Sequence, residues 1–184
     1  MEKVEKIRIS VGSAGVLCLK KVVTDAPPTT CYLLTYTEKE CQGSCLFCPQ
    51  GNFDDKNNAK RLSRIHWPEF PMNQFLKAFK HNQLDETSKK QIRWRDAKFQ
   101  RVCLQIVNYP GFFSDVVTIV KNIRKIAPRI AISLASPPIE PKKMTKLKKL
   151  GVERICFSLD ACTETLFKEI KGEGVKSPYR WKTH

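Results

Sequence analysis

The stretch "RVCLQIVNYPGFFSDVVTIVKNIRKIAPRIAISLAS", residues 101–136, sets two strand-like runs on either side of one helical pattern. The flanking runs, residues 101–108 and 129–136, are nearly continuous in apolar character, as expected of parallel strands covered on both faces. Between them Phe113, Val116, Val117, Val120, Ile123 and Ile126 recur at the spacing of one helix face. Ser114 is placed to cap that helix and Pro128 to stop it. A strand, a crossover helix and a second strand make the right-handed unit from which α/β folds are built.

Working outward, two more runs match. "TTCYLLTYT", residues 29–37, is rich in β-branched and aromatic residues and follows the breaker "APP"; "ERICFSLD" occupies 153–160. Three further helical patterns accompany them. "WPEFPMNQFLKAFK" is expected to begin a helix near Pro68, a residue suited to a first turn. "EPKKMTKLKKLG" sets Met144, Leu147 and Leu150 on one stripe, covers the rest with lysines, and ends on Gly151 as a C-terminal cap. "TETLFKEIKG" repeats the design, with Thr163 as cap and Leu166, Phe167 and Ile170 facing inward. The order is β-α-β-α-β-α-β-α, an α/β fold.

Three stretches depart from this rhythm. Residues 49–66 read as a long irregular segment, and loops of that length in a compact domain usually serve function. Residues 81–100 are polar and are expected to be exposed, extending the preceding helix. Residues 1–28 read as an N-terminal extension with a short strand around "KIRISV", so residues 29–184 form the expected core domain.

Composition narrows the function classes. At 184 residues with 41% hydrophobic and 28% charged residues, the chain is ordinary for one globular domain. No apolar run approaches the roughly 20 residues that span a bilayer, and the N-terminus lacks the apolar core of an export signal. A cytoplasmic, reducing setting follows as the expectation, with all eight cysteines as free thiols. Lys and Arg number 33 against 18 acids, a net charge of +15. Such a surplus either coats a solvated surface or attracts something negative: nucleic acid, an anionic metabolite or an acidic protein. No nucleic-acid-binding motif accompanies it.

The sharpest local signal is "CQGSCLFCPQG", residues 41–51. It puts Cys41, Cys45 and Cys48 in C-x3-C-x2-C spacing just after the first strand. Active sites of parallel α/β folds form at that strand end, where the βα loops converge. Thiolates sharing one small volume repel unless a cation or cluster balances them. Iron–sulfur clusters are usually held by four cysteines, so three would leave one iron open. Gly43 and Ser44 let the loop curl, and Pro49 ends it. A structural zinc site is the alternative, with His66 as fourth ligand, although the usual second C-x2-C pair is missing. Cys31, Cys103 and Cys156, inside strand runs, read as small core hydrophobes, while Cys18 and Cys162 are scattered.

The motif, with Phe47 before its last cysteine, resembles the radical S-adenosylmethionine (radical SAM) superfamily. Within it, "CLFCPQ" and "SLDACTETLFKEIKGEGVKSPYRW" are similar to biotin synthase and to two-subunit archaeal lipoyl synthases. The resemblance implies a partial (β/α) barrel of which about four of six βα units are present, with the core truncated at its C-terminus. It implies that Cys41, Cys45 and Cys48 ligate a 4Fe-4S cluster whose open iron binds S-adenosylmethionine (S-adenosyl-L-methionine). Reductive cleavage then releases a 5′-deoxyadenosyl radical for C–H functionalisation, here biotin- or lipoyl-synthase-like sulfur insertion. Phe47 would lie near the adenine, or else serve as a packed aromatic. Relatives often carry a "GGE"-like stretch after the second strand; here it reads "VNYPGF", making Asn108 and nearby carbonyls the substitutes. Ser158 and Asp160 suit ribose or ammonium contacts, Asp160 also fits a helix N-cap, and Ser133 and Ser136 are lesser candidates. Implied partners are an electron donor such as ferredoxin, and an acidic acyl-carrying protein or second radical SAM subunit; a tRNA would suit the charge equally. Two other readings stay open: a non-catalytic iron–sulfur electron-transfer or scaffold module, and zinc-dependent nucleic-acid binding.

Overall fold

The structure, a computed structural model, describes residues 4–38, 41–43, 45–50, 61–62, 65–84 and 97–171. In chain order its elements are β1 (Lys6–Ile9), α1 (Val11–Val16), β2 (Thr30–Thr35), β3 (Arg61–Leu62), β4 (Ile65–His66), β5 (Glu69–Pro71) and α2 (Met72–Leu84), then β6 (Arg101–Gln105), α3 (Phe112–Ile126), β7 (Ala131–Ala135), α4 (Pro141–Lys149), β8 (Arg154–Cys156) and α5 (Glu164–Lys171). Six strands form one mixed sheet in the order β5-β1-β2-β6-β7-β8, and β3 pairs with β4 apart from it. The four strands expected from sequence are β2, β6, β7 and β8, and they run parallel as neighbours. The protein is an α/β fold with five helices among the described residues.

One face of the sheet makes the core. Cys31, Leu33, Val102, Leu104 and Ile132 are fully enclosed on it, packed with Val116, Val120 and Ile123 of α3. Phe75 and Phe79 of α2 join them with ring centroids 5.4 Å apart. Burying each such side chain contributes about 1.5–3 kcal/mol. The other face corrects the expectation of strands covered on both sides. There Tyr32, Cys103, Gln105, Ser133 and Ala135 alternate with the core residues and stay partly accessible or exposed. For the same reason only Cys31 is a core thiol, whereas Cys103 is half-buried and Cys156 exposed.

Several helix boundaries also move. Backbone at Glu69–Pro71 is claimed by β5, which pairs antiparallel with β1, so α2 starts at Met72 and not near Pro68. α3 starts at Phe112, with Gly111 at the cap position in the left-handed conformation (φ 92°) in place of Ser114. α4 follows its expectation: Pro141 opens it, Leu147 is buried, and Gly151 follows with φ 83°. The Arg124 guanidinium fastens this corner, donating to the carbonyls of Ile130 (2.6 Å), Pro128 (3.0 Å), Leu150 (3.3 Å) and Gly151. On α5 Phe167 faces inward as expected, but Leu166 is exposed, and Lys171 takes the other buried position.

Within the segment read as an N-terminal extension, residues 6–9 form a strand of the sheet and α1 packs against the core. Ile7, Ile9 and Ala14 are fully enclosed, and β1 lies between β2 and β5. In the polar stretch 81–100, His81, Leu84, Lys98 and Gln100 are exposed as expected, but Asn82 and Phe99 are not. Asn82 donates to the Ala97 carbonyl at 2.8 Å and accepts from the Phe99 N–H at 3.3 Å, and Phe99 is buried. Ser44, residues 51–60, 63–64 and 85–96, and the ending "KSPYRWKTH" lie outside the described residues. Among the described residues no helix is long and apolar enough to cross a membrane.

Candidate functional site

Because β2, β6, β7 and β8 are parallel neighbours, the segments that follow Thr35, Gln105, Ala135 and Cys156 leave the same edge of the sheet. Together they line a cavity of about 230 Å³. All seven residues singled out for the cluster and its cofactor border it: Cys41, Cys45, Cys48, Phe47, Asn108, Ser158 and Asp160. The sheet topology brings them together from three separate loops.

Local bonds hold the cysteine loop over this edge. The Gln42 N–H donates to the Asn108 carbonyl at 2.7 Å, and the Leu46 N–H to the Ile170 carbonyl at 2.9 Å. A turn closes between them, with the Cys48 N–H donating to the Cys45 carbonyl at 3.0 Å. Cys41 packs on a small apolar cluster of Leu34, Trp67, Val107 and Tyr109 below the loop. Under that cluster runs a polar relay. The Val107 N–H donates to Thr35 Oγ1 at 2.9 Å, Thr35 bonds the Tyr109 phenol, and Tyr109 donates to Asp115 Oδ2 at 2.7 Å.

The sulfurs share one neighbourhood. A Cβ placed on Gly43 would sit 3.7 Å from Cys45 Sγ and 3.8 Å from Cys41 Sγ, so a small residue there leaves room between them. The Gly43 N–H donates to Cys41 Sγ at 3.5 Å. Burial pushes the Cys48 thiol up, a backbone hydrogen bond from Gln50 pulls it down, Cys45 and Cys41 push it up, and Lys171 pulls it down. The Cys48 thiolate thus feels the other two sulfurs, and an added positive charge in the cavity would stabilise it. Among the described residues no group of three or more His, Cys, Asp or Glu side chains is arranged to hold a metal ion. A lone zinc draws every sulfur to about 2.3 Å, whereas a multi-iron cluster gives each sulfur its own iron. The three thiols, the N–H donors at Cys41 and Cys48 and the space beside them are of the chemistry that an iron–sulfur cluster would use. His66, the fourth zinc ligand considered from sequence, is exposed on β4 and does not border the cavity.

Phe47 is 61% exposed, so it is not a packed core aromatic. Asp160 is not a helix N-cap: α5 starts at Glu164, and Thr163 Oγ1 accepts the Leu166 N–H at 3.3 Å. Asp160 instead holds a left-handed conformation (φ 62°) and pairs with Lys171. Ser136 borders the cavity with its hydroxyl donating to the Pro137 carbonyl at 2.7 Å; Ser133 does not border it.

Sequence reading missed Lys171, Gln105 and Gln50, which also line the cavity. Lys171 had a signal, since it follows the buried Phe167 by four residues and so shares its inward stripe. Gln50 is reached from β1: the buried Arg8 donates to its Oε1 at 3.2 Å and pairs with Glu69 at 3.7 Å. Burial pushes the Arg8 guanidinium down, and Glu69 and Tyr36 oppose that. Comparison with known families, with curated proteins and with solved structures yields no match.

Proposed function

We propose that this chain is the core of a radical SAM enzyme, with Cys41, Cys45 and Cys48 holding a 4Fe-4S cluster and the adjoining cavity taking S-adenosylmethionine. The observation that carries the reading is three half-buried cysteines, close in sequence, lining one cavity at the C-terminal ends of four parallel strands. On this reading the parallel strands belong to a partial (β/α) barrel. When bound, the cluster and cofactor supply one-electron cleavage of a sulfonium and a carbon radical able to take hydrogen from an unactivated C–H bond.

The chain's own residues do the rest. Backbone N–H groups of Gly43 and Gln50 offset thiolate charge at Cys41 and Cys48. Phe47 offers a flat apolar face at the cavity wall for an adenine. Asn108 has its carbonyl engaged by Gln42, which leaves its side-chain amide as the polar group toward a cofactor; Ser158 supplies a hydroxyl to the same cavity. Leu34, Leu62, Val107, Pro137 and Pro138 form an apolar wall that limits water. Sulfur insertion on an acyl chain, a ferredoxin-like donor, and an acidic carrier protein or second radical SAM subunit complete the proposal, and the net charge of +15 supports an acidic partner.

The test is anaerobic reconstitution with iron and sulfide, followed by reduction and addition of S-adenosylmethionine. The expected result is about four irons per chain, an EPR signal that changes on cofactor addition, and 5′-deoxyadenosine release. Alanine at Cys41, Cys45 or Cys48 abolishes iron retention, whereas Cys103→Ser and Cys156→Ser keep it. A cluster whose spectrum ignores the cofactor would instead favour an electron-transfer module.

A further inference from the structure

The end of α5 sits on the cysteine loop. The Ile170 carbonyl accepts the Leu46 N–H, and the next residue, Lys171, turns its side chain into the cavity wall. Only 10% of that side chain is exposed. Burial of this extent is costly for an ammonium unless partners offset it. Its partners include an aromatic ring and a carboxylate. Lys171 Nζ lies 5.1 Å from the centroid of the Phe47 ring, and it forms an ion pair with Asp160. Asp160 is one of two non-glycine residues with positive φ among those described, a conformation that persists only where its surroundings hold it. Helix end, loop aromatic, strained aspartate and Cys48 thus meet in one wall of one cavity.

We propose that Asp160 and Lys171 form a positioning pair for the iron–sulfur site, in which Lys171 pins Phe47 and the cysteine loop to α5 while the two opposite charges set the reduction potential of a cluster held at Cys48 and its neighbours. This rests on the function proposed above. Reduction adds one negative charge to a cluster, so a nearby cation favours the reduced form and a nearby anion opposes it. Charges in a partly buried cavity are screened less than those in open water. While both members are present their effects largely cancel at the cluster. Removing one exposes the cluster to the other.

The test is a redox titration, read by EPR, of the reconstituted full chain and three variants. Lys171→Met is expected to lower the midpoint potential, Asp160→Asn to raise it, and Lys171→Arg to stay near the parent value with cluster content intact. A purely structural role would instead reduce cluster content in both neutral variants without moving their potentials apart. Shifts of the same sign, or none, overturn the inference and leave the proposed function standing. A parent chain that assembles no cluster overturns the proposed function and the inference with it. Should Lys171→Met fail to fold, Asp160→Asn decides: a raised potential supports the pair, and an unchanged one refutes it.

Discussion

Replacing Thr35 by valine tests whether the relay beneath the cysteine loop stabilises this edge of the sheet. Thr35 is fully enclosed at the end of β2, and valine has nearly its shape, so the cost is polar and not steric. The Val107 N–H, bonded to Thr35 Oγ1 at 2.9 Å, would be left buried without its acceptor. An orphaned donor of this kind costs about 1–3 kcal/mol, and the Tyr109 oxygen loses a donor as well. About 2 kcal/mol is therefore expected for Thr35→Val. Thr35→Ser keeps the hydroxyl and loses a methyl, costing about 1 kcal/mol. For a chain of this length each kcal/mol lowers Tm by about 2–4 °C, which gives roughly 4–8 °C for valine and half that for serine. Urea unfolding followed by far-UV circular dichroism should show both midpoints lowered with unchanged slope, and hydrogen exchange at the Val107 amide accelerated by valine alone. If serine proves more damaging than valine, the methyl and not the relay holds this site, and the reasoning fails.

Two further outcomes follow from the same geometry. Burial, and then the bonded Asp115 carboxylate, hold the Tyr109 phenol above its ordinary value of 10.0. The unfolded phenol ionises first, so this contribution is intact below about pH 10 and is lost as pH rises beyond it; Tyr109→Phe should flatten that alkaline decline in ΔG of unfolding. Arg124→Met strips one guanidinium from four carbonyls at the α3 and α4 ends and should cost about 2–3 kcal/mol in urea unfolding. Arg124→Lys should rescue little, because an ammonium lacks the planar fork that spans them.

The parallel core was legible because each of its strands carries an apolar run, and β6, β7 and β8 are each followed by a helix with a capping or stopping residue. The site was legible for a related reason: a cysteine motif, an asparagine and an aspartate each follow a strand, and parallel pairing places such positions on one edge. What escaped was set by pairing between distant segments. β5 is three residues whose strand character comes from β1, some sixty residues away, so Pro68 looked like a helix start. The half-open face of β6 and β7 escaped because Cys103 and Ala135 are small and mildly apolar whichever way they point. Lys171 escaped because a lysine near a helix end suits the dipole whether it is solvated or buried.

The antiparallel strand near the start of the chain carries a consequence for how this protein is handled. Arg8 links that strand to Gln50, two residues past the last cysteine of the motif, and to Glu69 on the following edge strand. Expressing only the βα portion from residue 29 onward would strip the thiol-bearing segment of its rear buttress and bare the flank of β2. Affinity tags, proteolytic trimming and domain grafts are therefore best kept ahead of Lys6, because the strand that starts there pairs along β2 and reaches the sulfur-bearing segment through Arg8.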